Sequence, residues 1–306
     1  MSAKDFRNVS KWNKKLFYIK SPDAFDRMDD PETGLYTVKF RKCFLDLMLL
    51  NESSDVTIIF FHAALTKRSG VKLPIFSGAN LAAGINANKI FVSDPSLYLS
   101  DSIRLGWFLG SRYFHAEEIL TNILVGLLKS LGSKKIILFG ASAGGFASIL
   151  FGGLLLGKVD AEVLSVPVNP QTNILKFSPR PVEEYFRVAW NVKKRSKESL
   201  DGIGVTYDFT QPKHLDKFAG LNMLYIQNTK DHHYVSHFLP FLGGLGDDAA
   251  QKYILADDFG EGHVSPPLSY LKGLLGKVVD SGLSGRHLKR KYNVKEFLNY
   301  EPMVVS

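Results

Sequence analysis

An α/β fold with a doubly wound, mostly parallel sheet is predicted by three features of the sequence. Apolar runs of strand length alternate with helix-like segments from about residue 34 to Gly273. Several runs are continuous Val, Ile and Phe rather than alternating, the pattern of parallel strands buried on both faces. A chain of 306 residues, 45% hydrophobic and 22% charged, is large enough for one α/β core and excludes a disordered polymer.

Taken in order, strands are expected at Tyr36–Phe40, Val56–Phe61, Ile90–Val92, Ile136–Phe139, Glu162–Val166, Met223–Gln227 and Tyr253–Leu255. The clearest helix is Ala116–Ser130, where Ile119, Leu120, Ile123, Leu124, Leu127 and Leu128 share one face. The stretch Ile136–Gly157 is uncharged over membrane-spanning length, but it contains six glycines and turns abruptly at Gly140-Ala141-Ser142. A strand, a tight turn and a buried helix account for it. Between residues 169 and 220 the rhythm breaks: no strand is expected, and prolines stand at 170, 179, 181 and 212. A helix from Val182 towards Lys197, carrying Tyr185, Phe186 and Trp190, makes this insert a lid-like segment ahead of the next strand. The same aromatics would also suit a helix packed elsewhere on the core. Residues 1–33 read as a peripheral segment, 34–280 as the main domain and 281–306 as a basic tail.

Composition narrows the function. The single cysteine, Cys43, excludes an internal disulfide and any cysteine-based zinc cluster. One thiol and the lack of an apolar core in Met1–Lys20 lead us to expect a cytoplasmic protein without a secretory signal. The net charge of +8 is concentrated at Lys193, Lys194, Arg195 and Lys197, and again at Arg286, Lys289, Arg290, Lys291 and Lys295. Such blocks fit a solvated face, or a tail in peripheral contact with an anionic membrane or glycan. No nucleic-acid-binding motif accompanies them, so no nucleic acid is expected.

The chemistry concentrates at Gly140-Ala141-Ser142-Ala143-Gly144-Gly145, a G-x-S-x-G pattern between a predicted strand and a predicted helix. A serine in such an elbow adopts a left-handed backbone conformation, which requires small neighbours two residues to either side. Gly140 and Gly144 meet that requirement. A glycine-rich turn that merely binds phosphate is the plainer alternative. Two later loops complete the pattern. Asn228-Thr229-Lys230-Asp231-His232-His233 follows the strand Met223–Gln227, and Asp257-Asp258-Phe259-Gly260-Glu261-Gly262-His263 follows Tyr253–Leu255.

In that order, serine, then acid, then histidine, the chain resembles the α/β-hydrolase superfamily over roughly Val56–Asp280. The resemblance implies an α/β-hydrolase type of sheet and a triad of Ser142, Asp231 and His263, with Asp257 and Asp258 as alternative acids. It also implies an oxyanion hole made by the amide of Ala143 and by that of Ala63 or Ala64, in the loop His62-Ala63-Ala64. Alanine stands where the superfamily often has glycine, which argues against the branch with a His-Gly-Gly-Gly loop. No metal-ligand spacing joins His62, His115 and His214, and neither metal nor cofactor is expected.

The segments Ile90-Phe91-Val92-Ser93-Asp94-Pro95 and Gly106-Trp107-Phe108-Leu109-Gly110, with the triad pattern, are similar to proteins of bacterial surface-polysaccharide loci, including glycan O-acetyltransferases. That likeness implies a serine acyl enzyme, esterase or O-acyltransferase, acting on a small-molecule or glycan ester. Asp94, Trp107, His62, Tyr185 and Trp190 are the expected substrate-binding residues, although a core position also suits Trp107. A non-catalytic scaffold of the same fold is the alternative from another class.

Overall fold

The computed structural model describes residues 6–245 and 253–281; the basic blocks from Arg286 onward lie outside them. Eleven strands are described: β1 Leu16–Ile19, β2 Gly34–Lys39, β3 Phe44–Leu50, β4 Val56–Phe61, β5 Asn88–Ser93, β6 Gly110–Ser111, β7 Phe114–His115, β8 Lys135–Ala141, β9 Glu162–Val168, β10 Asn222–Asn228 and β11 Tyr253–Asp257. The helices are α1 Ala79–Ala82, α2 Ala116–Ser130, α3 Ala143–Leu155, α4 Pro179–Trp190, α5 Lys197–Asp201, α6 Pro212–Leu215, α7 Leu239–Leu245 and α8 Leu268–Ser281. Nine strands form one sheet in the order β1-β2-β3-β5-β4-β8-β9-β10-β11, and β6 and β7 form a small hairpin. Only β3 runs against its sheet neighbours, so β4, β8, β9, β10 and β11 all deliver their carboxyl ends to one edge.

The period-two geometry of strands divides the core into two layers. Along β8, Ile136 and Leu138 pack towards α2 and α3, while Ile137 and Phe139 pack on the opposite face with Leu271, Leu275 and Val278 of α8. Both faces are covered, which is why these strands read as unbroken apolar runs. Among the described residues no helix is long and apolar enough to cross a membrane.

Three readings of the sequence are altered. The opening residues are not mere wrapping: β1 adds a parallel edge strand beside β2. Arg7 reaches the buried carboxylate of Asp46 on β3 at 2.5 Å, and Thr37 and Tyr98 hydrogen-bond to the same group. β3 itself escapes the pattern because Phe-Leu-Asp-Leu-Met-Leu-Leu holds no β-branched residue, and a short apolar run of that kind suits helix and strand equally. The helix expected to run to Lys197 stops at Trp190, where Asn191 takes a left-handed φ of 59° and its amide returns to Phe186 O.

The third concerns the insert, which is rooted in the core rather than laid over it. Val182, Tyr185, Phe186, Tyr207, Phe209 and Phe218 belong to the same buried cluster as α2 and α3. Phe209 stacks on Phe146 of α3 with ring centroids 4.3 Å apart. A detachable lid would bury its aromatics among themselves; these are shared with the sheet's covering helix. Phe209→Ala is accordingly expected to cost about 3–5 kcal/mol in urea unfolding. Excision of 169–220 is expected to leave a chain without a cooperative transition, and a stable, soluble excised chain would contradict this packing.

Candidate active site

Ser142 sits between β8 and α3 with φ 54° and ψ −114°, a strained combination for a residue with a side chain. Its amide donates to Val168 O of β9 at 2.9 Å. The turn is possible because the backbone closes tightly around it. A β-carbon on Gly140 would lie 2.1 Å from Gly144 O, and one on Gly144 would lie 2.3 Å from Phe61 O. The glycines therefore press the exit of β4 directly against the serine turn. That contact brings His62-Ala63-Ala64 beside the first turn of α3. Among the described residues the amides of Ala63, Ala64 and Ala143 have no hydrogen-bond acceptor, the condition for donors that serve a ligand oxygen.

His263 and Asp231 meet on the same edge. His263 Nδ1 donates to Asp231 Oδ2 at 2.5 Å, while Oδ1 accepts the amide of His233 at 3.0 Å. Burial pushes the Asp231 carboxyl upward, but these two hydrogen bonds together with the attraction of His233 and His263 hold the group below its ordinary range. With Nδ1–H committed to the carboxylate, Nε2 of His263 is left as the basic nitrogen. Asp257 and Asp258 are exposed, and Asp258 instead caps its own turn at Gly260 N (2.9 Å). Of the three candidate acids, Asp231 alone contacts the imidazole.

The loop carrying His263 is held by two asparagines at strand ends. Asn228 Nδ2 donates to the carbonyls of Gly260 (2.7 Å) and Gly262 (2.9 Å), and Asn228 Oδ1 accepts Phe259 N at 3.1 Å. Asn169 Nδ2 donates to Val264 O at 2.8 Å, and its Oδ1 accepts Asn228 N at 2.7 Å. Both asparagines were silent in the sequence, since an Asn after a strand usually marks only a turn.

Gln171 was also missed. It is fully buried; its Nε2 donates to Ser142 Oγ at 3.2 Å, and its Oε1 accepts the indole Nε1–H of Trp107. No hydrogen bond joins Ser142 to His263; the serine oxygen is occupied by Gln171. A glutamine two residues into a proline-containing insert carries no sequence signal for this role.

The expected substrate-binding residues are turned inward. Trp107 and Tyr185 are fully buried, and Tyr185 OH donates to Gly110 O at 2.8 Å. Trp190 Nε1 donates to Tyr185 OH at 3.0 Å. Asp94 accepts the amides of Ser96 (2.9 Å) and Phe108 (3.2 Å), supporting a turn in which Trp107 and Phe108 both have positive φ. His62 donates from Nδ1 to Ala63 O at 2.8 Å and accepts Asp94 N at Nε2, 3.0 Å. All five side chains are buried and engaged in these internal contacts.

Asp231, His233 and His263 each offer one ligand atom, and these atoms lie within 4.8 Å of one another. Hydrogen bonds account for the proximity: Asp231 and His263 engage each other, and His233 Nδ1 donates to Asn169 O at 3.1 Å. His237, on a π-helical turn Tyr234–Phe238, accepts the amides of Thr172 (3.2 Å) and Asn173 (3.4 Å) at Nδ1. Burial, reinforced by neighbouring histidines, pushes His233 down to about 4 and His237 to about 3.

These two neutral histidines set a pH dependence. Unfolded histidine titrates near 6.5, so between that pH and about 4 the unfolded chain binds more protons than the native one. Stability is then fully present above about pH 6.5 and falls as pH drops. Each histidine adds a slope of up to about 1.4 kcal/mol per pH unit. Asp231 acts in the same sense further into acid. Urea midpoints are expected to fall between neutral pH and about pH 5, and His237→Asn, which keeps the acceptor, to flatten the slope. An unaltered slope in that variant would show that His237 does not gain a proton on unfolding.

The fold described above is that of the α/β hydrolases: a mostly parallel sheet with a serine elbow after its central strand and helices on both faces. A scan against protein-family models finds no match, and a search of curated proteins finds none. Solved structures with the same fold include the capsule O-acetyltransferase of Neisseria meningitidis serogroup A (TM-score 0.53, 14% identity, 82% of this chain and 97% of that one). Carboxyl esterase 2 of the fungus Tuber melanosporum is similar at TM-score 0.53 and 14% identity, over 82% of this chain and 87% of that one. An acylaminoacyl peptidase of Pyrococcus horikoshii aligns at TM-score 0.54 and 14% identity, over 90% of this chain and 45% of that one.

Proposed function

We propose that this protein is a serine acyl enzyme in which Ser142 is the nucleophile, His263 the general base and Asp231 the orienting acid. The observation that carries the reading is the placement of the strained Ser142 on the same sheet edge as the 2.5 Å Asp231–His263 pair. Ser142 Oγ attacks an ester carbonyl, and its proton passes to His263 Nε2. The Gln171 amide donates into the serine oxygen, which leaves the hydroxyl hydrogen free to turn towards that base. Oxyanion charge is received by the amide of Ala143 and by Ala63 or Ala64, unpaired donors that need no reorganisation. The hydrogen bond between serine and histidine forms on substrate binding, as such contacts often tighten only in the loaded enzyme.

As the tetrahedral intermediate collapses, His263 returns the proton to the departing alcohol or thiol, and an acyl-Ser142 ester remains. Water or an acceptor hydroxyl, deprotonated by His263, then takes the acyl group and Ser142 recovers its proton. We favour transfer to a carbohydrate hydroxyl of a cell-surface glycan, because the likeness to a capsule O-acetyltransferase spans nearly that enzyme's whole length. A mutant of that enzyme has been solved in complex with CoA, which makes a thioester the first acyl donor to test here.

A fluorophosphonate probe is expected to label the wild-type chain and not Ser142→Ala. Asp231→Asn should keep the fold and lower turnover by orders of magnitude, about 10⁴-fold by the serine-protease precedent, with Asp258→Asn nearly unaffected. Equal labelling of Ser142→Ala would place the reactive nucleophile elsewhere, and no labelling of the wild type would leave the fold serving as a scaffold.

A further inference from the structure

Among the described residues a strongly basic concavity lies along the outer side of α4. It is a cavity of about 1100 Å³ that includes Arg104, Arg180, Arg187, Lys193, Lys194 and Arg195 in its walls. Two carboxylates, Glu183 and Glu184, oppose these six cations, and Glu184 is already paired with Arg187 at 2.7 Å. The side chains of Arg180, Lys193 and Lys194 make no hydrogen bond or ion pair among the described residues and stand exposed. Like charges gathered in one concavity repel, and an anion entering it relieves that repulsion.

Position ties the cavity to the serine site. On one wall, Arg104 is bound to Leu65 in both directions, Leu65 N to Arg104 O at 2.9 Å and Arg104 Nε to Leu65 O at 2.7 Å. Leu65 directly follows the Ala63-Ala64 amides. On the other wall, Arg195 caps the carbonyl of Phe177 at 3.3 Å. The Phe177 ring stands edge-on to Trp107 and to His233, centroids 6.0 and 6.3 Å away. Each wall is thus linked to the serine site through intermediate contacts: Leu65 adjoins the Ala63-Ala64 amides, and Trp107 hydrogen-bonds to Gln171, the partner of Ser142 Oγ.

We propose that this cavity binds a multiply phosphorylated ligand of the acyl-transfer reaction, its phosphates held by Arg180, Lys193 and Lys194. Guanidinium forks and flexible ammonium groups together suit clustered phosphate oxygens, and the volume is at the upper end of ligand sites. That chemistry is shared by phosphate-bearing acyl carriers and by phosphodiester-linked glycans, one a donor and the other an acceptor. The assignment to acyl transfer rests on the function proposed above; the anion site itself does not.

The test is calorimetric binding to full-length Ser142→Ala of two probes, CoA for the donor arm and a phosphodiester-linked oligosaccharide for the acceptor arm. At least one is expected to bind. Adding Arg180→Ala, Lys193→Ala and Lys194→Ala together should weaken that binding roughly 10- to 100-fold with the thermal transition unmoved. A charge-matched control, Lys20→Ala with Lys129→Ala and Lys158→Ala on distant exposed surfaces, should leave it intact. Binding of CoA alone assigns the donor, and binding of the oligosaccharide alone assigns the acceptor. The proposal is overturned if neither probe binds, if the control weakens binding as much as the cavity triple, or if duplex DNA binds as tightly as the probes. Fluorophosphonate labelling of the wild type is read separately. Its failure removes the serine mechanism while the binding result still stands or falls alone.

Discussion

The contact on which the site depends is the packing of Gly144 against the carbonyls at the end of β4. No side chain fits there: a β-carbon would stand 2.3 Å from Phe61 O and 2.9 Å from His62 O. This closeness forces the elbow that strains Ser142, and it also sets the Ala63-Ala64 amides beside the first turn of α3. Ser142 and the unpaired amides of Ala63 and Ala64 are therefore positioned by one backbone contact rather than by separate devices. The hydrogen bond from Ser142 N to Val168 O ties the same turn to β9. Strain of this kind persists only where the surroundings over-determine it, and here two neighbouring strand ends do so.

The histidine poses the opposite problem. Its loop contains Gly260 and Gly262 at φ 115° and 81°, and such a segment has high conformational entropy when free. Asn169 and Asn228 offset this by satisfying three of its carbonyls from the ends of β9 and β10. Asp231 then needs only to meet a ring that is already held. His62 and Asp94 do comparable work on the opposite side, clamping the Ala63 carbonyl and the Trp107-Phe108 turn.

The insert joins these halves. Its inner surface carries Gln171 to the serine and Phe209 into the core, and its outer surface contributes most of the basic cavity. One segment is therefore both structural filling and site wall. The aromatics of α4, expected as ligand contacts from the position of the insert, are buried in the core. Tyr185 and Trp190 hydrogen-bond inward because buried hydroxyl and indole groups must find partners.

Sequence alone determined what depends on local pattern. The unbroken apolar runs specify strands covered on both faces, the helical period specifies α2, and G-x-S-x-G between strand and helix specifies the elbow. The position of Ser142, Asp231 and His263, each after a parallel strand, placed all three on one edge, because parallel strands share their carboxyl ends. Tertiary structure decided what depends on contacts between distant segments. Asp231 rather than Asp257 or Asp258 meets His263; Gln171 rather than His263 meets Ser142; β3, with its leucine-rich run, becomes a strand because Asp46 and its neighbours find partners across the sheet. Asparagines, glutamines and buried tryptophans take their roles from whichever polar groups the fold brings within hydrogen-bond reach, and no period or spacing along the chain records that distance.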